Sequence, residues 1–278
     1  MSTLAFSIYS PEGGNATIPN KLIIEISNSH MACLATASDN MMTAFELYTF
    51  NKEETLDFEK LFAGVIAKSQ VLSKTYTDTK FYVNNEYALV VPAAKFDKEI
   101  LDDFLNIAFG EDQDSIKRYD TINAKPNLVI AYRFSGECLK FADHHFNSPN
   151  VKHSYTPVIA RLISDPSNVT LIKVQFYLLS FIAVVMKDGA LQFVQSFLYQ
   201  SSDDVLYYLL SISQQFNLKT PDLTINVSGM IDLKSPLFSQ LEKYFGNIVV
   251  DEADKSKLLI NVDEYPSHYF TPFFNLAL

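Results

Sequence analysis

The sequence predicts an α/β protein built from two tandem copies of one sheet-and-helix lobe. Its 278 residues approach twice the roughly 150 residues of a usual domain. A meander of three apolar strands running into a helix occurs at 22–66 and returns at 171–212. The tight turns of the two meanders, Asp39-Asn40 and Asp188-Gly189, lie 149 residues apart (188 minus 39). The third sign is local. His153-Ser-Tyr-Thr156-Pro157 matches His268-Tyr-Phe-Thr271-Pro272, and each precedes an apolar helical segment.

With 48% hydrophobic and 19% charged residues, the chain can bury a real core and does not have the composition of a disordered protein. The net charge of −10 opposes the basic surface that phosphate backbones require, so no nucleic acid is expected as partner. Neither of the two cysteines, Cys33 and Cys138, has a neighbour at CxxC spacing. They read as small buried thiols in a reducing compartment. Residues 1–20 lack a basic segment followed by an apolar core, so no signal peptide is read there. The longest nearly apolar run, Phe176–Met186, is far shorter than the roughly 18 residues that span a bilayer. The expectation is a cytoplasmic protein without membrane insertion.

Residues 1–20, with Pro11, Gly13, Gly14 and Pro19, read as a leader holding one short strand, Ala5–Tyr9. The first lobe, 21–165, opens with Lys21–Ser27, where Leu22, Ile24 and Ile26 share a face at period two. Met31–Ala37 and Thr43–Phe50 follow, joined through Asp39-Asn40, residues that tolerate a left-handed backbone. Glu53 and Glu54 favour a helix start by charge–dipole attraction; Leu56, Leu61, Phe62, Val65 and Ile66 form its apolar stripe. Lys80–Val83 and Tyr87–Val91 read as a hairpin around Asn84-Asn85, broken by Pro92. Asp97 is the predicted N-cap of a helix carrying Ile100, Leu101, Phe104, Leu105 and Ala108 and ended by Gly110. An acidic loop, Glu111–Ser115, precedes a buried strand, Asn127–Phe134. Gly136–Phe146 is a short helix or a hairpin, and Thr156–Ile163 is a helix.

The lobe boundary is placed at Asp165–Ser167, and the second lobe, 166–278, repeats the order. Its strands are Leu171–Tyr177, Phe181–Met186 and Leu191–Tyr199, and its first helix is Asp203–Phe216. Leu223–Val227 is a strand and Ser228-Gly229 a turn. Ser235 caps a helix with Pro236 at its first position, and Gly246 ends it as Gly110 ends its counterpart. Ile248–Asp251 and Lys257–Val262 are further strands. Tyr269–Leu278 is an apolar last helix packed on the second sheet, with an exposed partner-binding helix as the alternative. Thr156 and Thr271 are expected to cap the helices that Pro157 and Pro272 begin.

Three antiparallel strands, helix, strand, helix, strand and helix, all repeated, resemble the ribonuclease-H-like lobe. Two in tandem over Lys21–Leu278 resemble the actin-like ATPase fold of actin, sugar kinases, heat-shock ATPases and the pilus-assembly protein PilM. In overall pattern and in its paired Thr-Pro segments the chain is similar to an uncharacterised Bacteroidetes family, a domain of unknown function with that fold. The resemblance implies a mixed five-stranded sheet with helices in each lobe and a nucleotide site in the cleft between lobes. In ATP-binding members the first turn carries an Asp and a Gly around phosphate and magnesium. Here that turn reads Ile26-Ser27-Asn28-Ser29-His30, without either residue. Its second-lobe counterpart, Gln175-Phe176-Tyr177-Leu178-Leu179-Ser180, is bulky and apolar. Val227-Ser228-Gly229-Met230 keeps one glycine of the family's adenosine loop, in a chain with only eight glycines.

Ser27, Asn28, Ser29, Ser228 and Gly229 are therefore the expected binding positions of a degenerate nucleotide cleft, and no catalytic or metal-ligating residue is assigned. The predicted function is a non-catalytic binding or assembly component with a protein partner and no cofactor; a homo-oligomer stays open. The alternative is an ATPase or kinase with atypical phosphate loops, using ATP with magnesium. Glu25 is the only acid in Lys21–Ala37, too few for the carboxylate cluster of a ribonuclease H. Asp143-His144-His145 matches a phosphoesterase triplet, but the partner motifs are missing and it reads as a polar helix end or loop. His153 and His268 read as imidazoles bonding the backbone at the helix starts, with a symmetric pair facing the cleft as the alternative. His30 reads as a surface residue. Glu111–Asp114 and Asp251–Asp254 read as solvated loops, either of them able to hold a cation.

Overall fold

A computed structural model describes residues 2–11, 20–50, 58–146, 149–165, 169–262 and 265–277. The chain divides into two compact units, one comprising 1–157, 254–264 and 273–278, the other 158–253 and 265–272. Residues 166 and 167 of the predicted boundary Asp165–Ser167 and the helix-start residues Glu53, Glu54 and Leu56 lie outside the described residues.

The first unit carries β1 (Ser2–Tyr9), β2 (Lys21–Ile26), β3 (His30–Thr36), β4 (Met42–Phe50), α1 (Phe58–Ile66), β5 (Asp78–Val83), β6 (Ala88–Pro92), α2 (Leu101–Phe109), β7 (Ser115–Ile122), β8 (Leu128–Ser135), α3 (Gly136–His145) and β9 (Asn150–His153). A further helix, α4 (Tyr155–Ser164), begins in this unit and ends in the other. Among the described residues the strands form a six-stranded sheet, β1-β4-β3-β2-β5-β9, and a separate three-stranded sheet, β6-β8-β7. β2 runs parallel to β5 and antiparallel to β3. Leu22, Ile23, Ile24 and Ile26 are all buried, because a central strand covered on both faces needs an apolar run rather than strict alternation. Phe62 of α1 stacks on Phe141 of α3 with ring centroids 3.9 Å apart.

One buried carboxylate organises the edge of this sheet. Glu46 Oε1 accepts hydrogen bonds from the Tyr9 hydroxyl at 2.7 Å and from the N–H groups of Gln70 at 2.9 Å and Val71 at 3.1 Å. Oε2 accepts from the hydroxyls of Tyr48, at 3.0 Å, and Ser69. Together they replace the water a buried charge would lose, and they tie β1 and the turn after α1 to β4. Burial and the bond to Glu46 push the Tyr9 phenol up to about 12, which keeps it a donor.

The hairpin expected around Asn84-Asn85 does not form. β5 stays between β2 and β9, whereas β6 leaves to pair with β8, placing Leu89 opposite Ala131. The asparagines make the switch: the Asn84 N–H donates to Ile26 O at 2.8 Å, and Asn85 Oδ1 accepts the Tyr87 N–H at 3.0 Å. Two strands went unread. β7 carries Lys117, Arg118 and Asp120 and so lacks an apolar pattern, and β9 has only four residues. The segment expected as a leader supplies β1, which pairs with β4. The helix-or-hairpin segment is a helix, capped by Ser135 through the Glu137 N–H.

The second unit carries β10 (Leu171–Phe176), β11 (Ser180–Lys187), β12 (Ala190–Leu198), α5 (Ser202–Gln215), β13 (Thr224–Gly229), α6 (Pro236–Tyr244) and β14 (Asn247–Val250). Its sheet order, β12-β11-β10-β13-β14, repeats β4-β3-β2-β5-β9, and the corresponding pairs are parallel in both. Ile172, Val174 and Phe176 of β10 pack with Val205 and Leu209 of α5 and Leu241 of α6 in one apolar core. Ser201 closes a capping box on α5. Ser235, as predicted, caps α6 with Pro236 at its start. In their first strands the copies align at an offset of 150 rather than 149: Glu25 and Gln175 (175 minus 25) each sit one residue before the pairs Ile26–Val83 and Phe176–Gly229. Gly246 does not copy Gly110. Gly110 turns the chain at φ 79°, whereas a Cβ on Gly246 would lie 1.6 Å from Pro221 O.

Lys257–Val262 is not a strand. Leu258 makes an isolated bridge with Met42, and the Leu259 N–H donates to Met42 O, all within the first unit. The tail is not one helix on the second sheet either: among its described residues a 3-10 turn ends at Tyr269 and a single short α-helix follows, α7 (Thr271–Phe274). Phe273 packs on the first sheet, its ring 5.1 Å from that of Phe45 and 6.1 Å from that of His30, and the Tyr82 hydroxyl donates to Leu276 O. No helix among the described residues is long and apolar enough to cross a membrane.

Candidate functional site

Parallel neighbours β2 and β5 end side by side, Ile26 opposite Val83, so the loops leaving them share one sheet edge. Crevices at the carboxyl ends of such strands are where α/β sheets bind ligands. A cleft of about 260 Å³ opens there within the first unit. Ile26, Ser27 and Asn28 form one wall, and Val83, Asn84, Asn85 and Tyr87 a second. The loop Asp112–Ser115, the end of β8 and the start of α3 complete it, with Phe58 of α1 also in the lining. Three side-chain amides, several hydroxyls and apolar surface from Ile26, Val83 and Phe134 make a mixed lining.

The turn Ser27–His30 is closed on itself. The Ser27 N–H donates to His30 O at 2.9 Å, while the N–H groups of Ser29 (3.1 Å) and His30 (3.0 Å) both donate to Ser27 Oγ. Ser27 Oγ lies 2.7 Å from His30 Nδ1, and His30 Nε2 lies 3.3 Å from Glu25 Oε2. Glu25 also accepts from Asn84 Nδ2 at 3.3 Å and from the Ser154 hydroxyl at 2.7 Å. His30 is therefore not a surface residue; it is 1% exposed. The sequence hides this because its significance is a register effect: Glu25 and Ser27 alternate onto one face, and the hairpin sets His30 opposite Ser27.

Arg133 lines the cleft but is held by protein groups. Its two terminal nitrogens donate to Gly110 O at 2.6 Å and Phe109 O at 2.9 Å, and its guanidinium stands 5.0 Å from the Tyr87 ring centre. It stitches α2 to the small sheet. Asp112 Oδ1 caps the Asp114 N–H, and among the described residues no group of three His, Cys, Asp or Glu side chains is arranged to hold a metal ion. Cys138, also in the lining, has its thiol pushed up to about 12 by burial.

Of the five positions expected to bind, Ser27 and Asn28 line the cleft, and Ser29 is buried beside it, 3.3 Å from Ser27 Oγ. Ser228 and Gly229 belong to the second unit and line none of this cleft. A Cβ on Gly229, at φ 85°, would lie 2.1 Å from Phe176 O, so this glycine serves close strand approach. Beside it, the Ser228 hydroxyl and both ends of the Gln175 amide are buried without a hydrogen bond among the described residues. The turn Tyr177–Ser180 is closed like its counterpart, Tyr177 N–H donating to Ser180 O at 2.8 Å.

The paired histidines differ. Burial brings His153 down to about 3, and its Nδ1 accepts the Tyr155 N–H at 3.2 Å, the helix-start contact expected. His268 instead meets Ile231 O through Nε2 at 2.9 Å. Neither threonine caps its helix as expected: Thr156 donates to the Asp120 carboxylate and Thr271 to Asp251 O. Asp120 also accepts the His153 N–H, and burial raises its carboxyl above the usual range. Asp251 forms an ion pair with buried Lys173, and Asp254 caps the Ser256 N–H. Asp143, His144 and His145 are three exposed residues ending α3.

The fold has solved relatives. A Bacteroides thetaiotaomicron VPI-5482 protein with an actin-like ATPase fold and unknown function is 18% identical over 84% of this chain and 91% of its own, with a TM-score of 0.73. The PilM–PilN type IV pilus biogenesis complex contains a chain 10% identical over 94% of this one and 98% of its own, TM-score 0.60. No curated protein matches the sequence. Both likenesses extend over most of the chain and give it the actin-like ATPase fold. One family matches across residues 15–248, and the chain belongs to it: the family described as Protein of unknown function (DUF3822).

Proposed function

We propose that this protein is a cytoplasmic binding or assembly component that does not turn over ATP and engages a protein partner through the cleft of the first unit. One observation carries the reading: the N–H groups of Ser27, Ser29 and His30, which a phosphate-gripping turn would aim outward, are all spent inside the turn. The turn also has no carboxylate of its own to position a magnesium ion. Amides, hydroxyls and apolar walls complement a segment of polypeptide better than a triphosphate. The PilM chain, solved in complex with PilN, supports a protein partner by likeness of fold. The buried thiols Cys33 and Cys138 fit a reducing compartment.

Thermal unfolding with and without ATP and magnesium tests the reading. No shift and no released phosphate are expected. A ligand at about 100 times its Kd stabilises by about 2.7 kcal/mol, so a shift of several degrees together with phosphate release would replace the proposal with an active ATPase.

A further inference from the structure

The chain Ser27 Oγ, His30 Nδ1, His30 Nε2, Glu25 Oε2 is a hydroxyl, an imidazole and a carboxylate in series, with steps of 2.7 and 3.3 Å. We infer that Ser27 is a base-activated nucleophile that accepts an acyl group from a short ester or thioester bound in the first unit's cleft. The inference is independent of how the protein handles nucleotides and of which partner it binds.

The hydrogen bonds fix the roles. Ser27 Oγ already accepts two backbone N–H groups. Of the acceptors within its reach His30 Nδ1, at 2.7 Å, is nearer than Ser29 Oγ, at 3.3 Å, or His30 O, at 3.4 Å, so its own proton is directed to Nδ1. His30 then carries its proton on Nε2 and donates it to Glu25. A third group orienting the base, and a base in contact with the hydroxyl, are what an activated serine requires. The two N–H groups on Oγ favour its negatively charged form. Glu25 is itself fixed by Asn84 and Ser154, which holds its carboxylate toward the imidazole. Such a relay buried wholly in a core would only brace the hairpin. This one ends at Ser27, which is partly exposed and lines the cleft beside Asn28. Ile26, Val83 and Phe134 offer apolar surface for a short acyl chain.

In the step, the Oγ–C bond forms as the carbonyl π pair moves onto oxygen, and the Oγ proton passes to His30 Nδ1. The pair returns, the C–O or C–S bond breaks, and the departing alcohol or thiol takes that proton. Acyl-Ser27 and a free alcohol or thiol result, with no oxidant or reductant needed.

The test uses the full chain with a fluorophosphonate probe and with p-nitrophenyl acetate, the modified peptide being located by mass. Label on Ser27 should appear at least tenfold faster than on a synthetic peptide of residues 24–34, a positioned base typically contributing about 10²-fold or more. His30→Gln and Ser27→Ala, each checked for native circular dichroism, should abolish the excess. A native rate within tenfold of the peptide, or label on another residue, overturns the inference whether or not the variants fold. Undiminished labelling of a folded His30→Gln protein overturns it too. Failure here leaves the ATP result untouched, and a positive ATP result leaves this one untouched.

Discussion

Glu46→Gln is the most exacting test of how the first unit holds together. The carboxylate receives five hydrogen bonds, two of them from the backbone N–H groups of Gln70 and Val71. A glutamine keeps the shape but supplies one oxygen and one NH2. Its best orientation leaves the oxygen with Tyr9, Gln70 and Val71 and turns the NH2 toward the Tyr48 and Ser69 hydroxyls, which can rotate to accept. Three bonds then fall from charge-assisted to neutral strength, each a loss of up to about 1 kcal/mol, and two are remade less well. The expected cost is about 2–4 kcal/mol. The chain has no tryptophan, so urea unfolding is best followed by far-ultraviolet circular dichroism, with hydrogen exchange at the Gln70 and Val71 amides locating the loss. Tyr9→Phe, which removes one donor, should cost about 1 kcal/mol. A change under about 0.5 kcal/mol for Glu46→Gln, with unchanged exchange at both amides, would refute the anchoring role.

Gly229→Ala should destabilise the second unit by at least about 2 kcal/mol, read by urea unfolding, because its φ is positive and the new Cβ meets Phe176 O. Asp251→Asn leaves the Lys173 ammonium, whose pKa burial already lowers, without its counter-charge. A loss of about 3 kcal/mol is expected, and Lys173→Met in the same background should recover most of it; no recovery would count against the ion pair. His153 is held neutral by burial, down to about 3 from an ordinary 6.5. The unfolded chain takes up this proton first, so stability is full above pH 6.5 and falls by up to about 1.4 kcal/mol per pH unit toward pH 3. Asp120, raised by burial, opposes this at the acid end. Unfolding midpoints between pH 7 and 4 measure the slope, and His153→Asn should flatten it.

The repeated meander was legible because strand alternation and turn residues are local properties. Asn40 and Asp188, read as turn residues, do adopt positive φ. The Ser235-Pro236 helix start and the run Leu128–Phe134 were legible for the same reason. What failed depended on partners distant in sequence. Nothing in Lys117-Arg118-Tyr119-Asp120 announces a strand, since β7 is an outer strand whose pattern answers to β8. Tyr87–Val91 looked like the return arm of a hairpin because the pairing of Leu89 with Ala131, 42 positions on (131 minus 89), is invisible locally. At the site, Ser27 and Asn28 stood out through a family pattern they had lost. Glu25 was read only as a lone acid, too few for a ribonuclease H, and His30 as a surface residue, although both belong to the hydrogen-bonded chain at the turn. A carboxylate two residues before a serine becomes informative only once the sheet register is known.

The tail has a bearing on how the molecule comes into being. The sheet that begins with β1 leans on Phe273 and Leu276, which leave the ribosome some 190 residues after Val83, the last residue of β5 (273 minus 83). Nascent chains generally mature from their beginning onward, but here the Phe45 face of the first sheet lacks the cover of Phe273 until the later half has been made. Shielding that face in the interval falls to a chaperone or to speed, and translation that stalls after residue 253 would strand the half that was synthesised first.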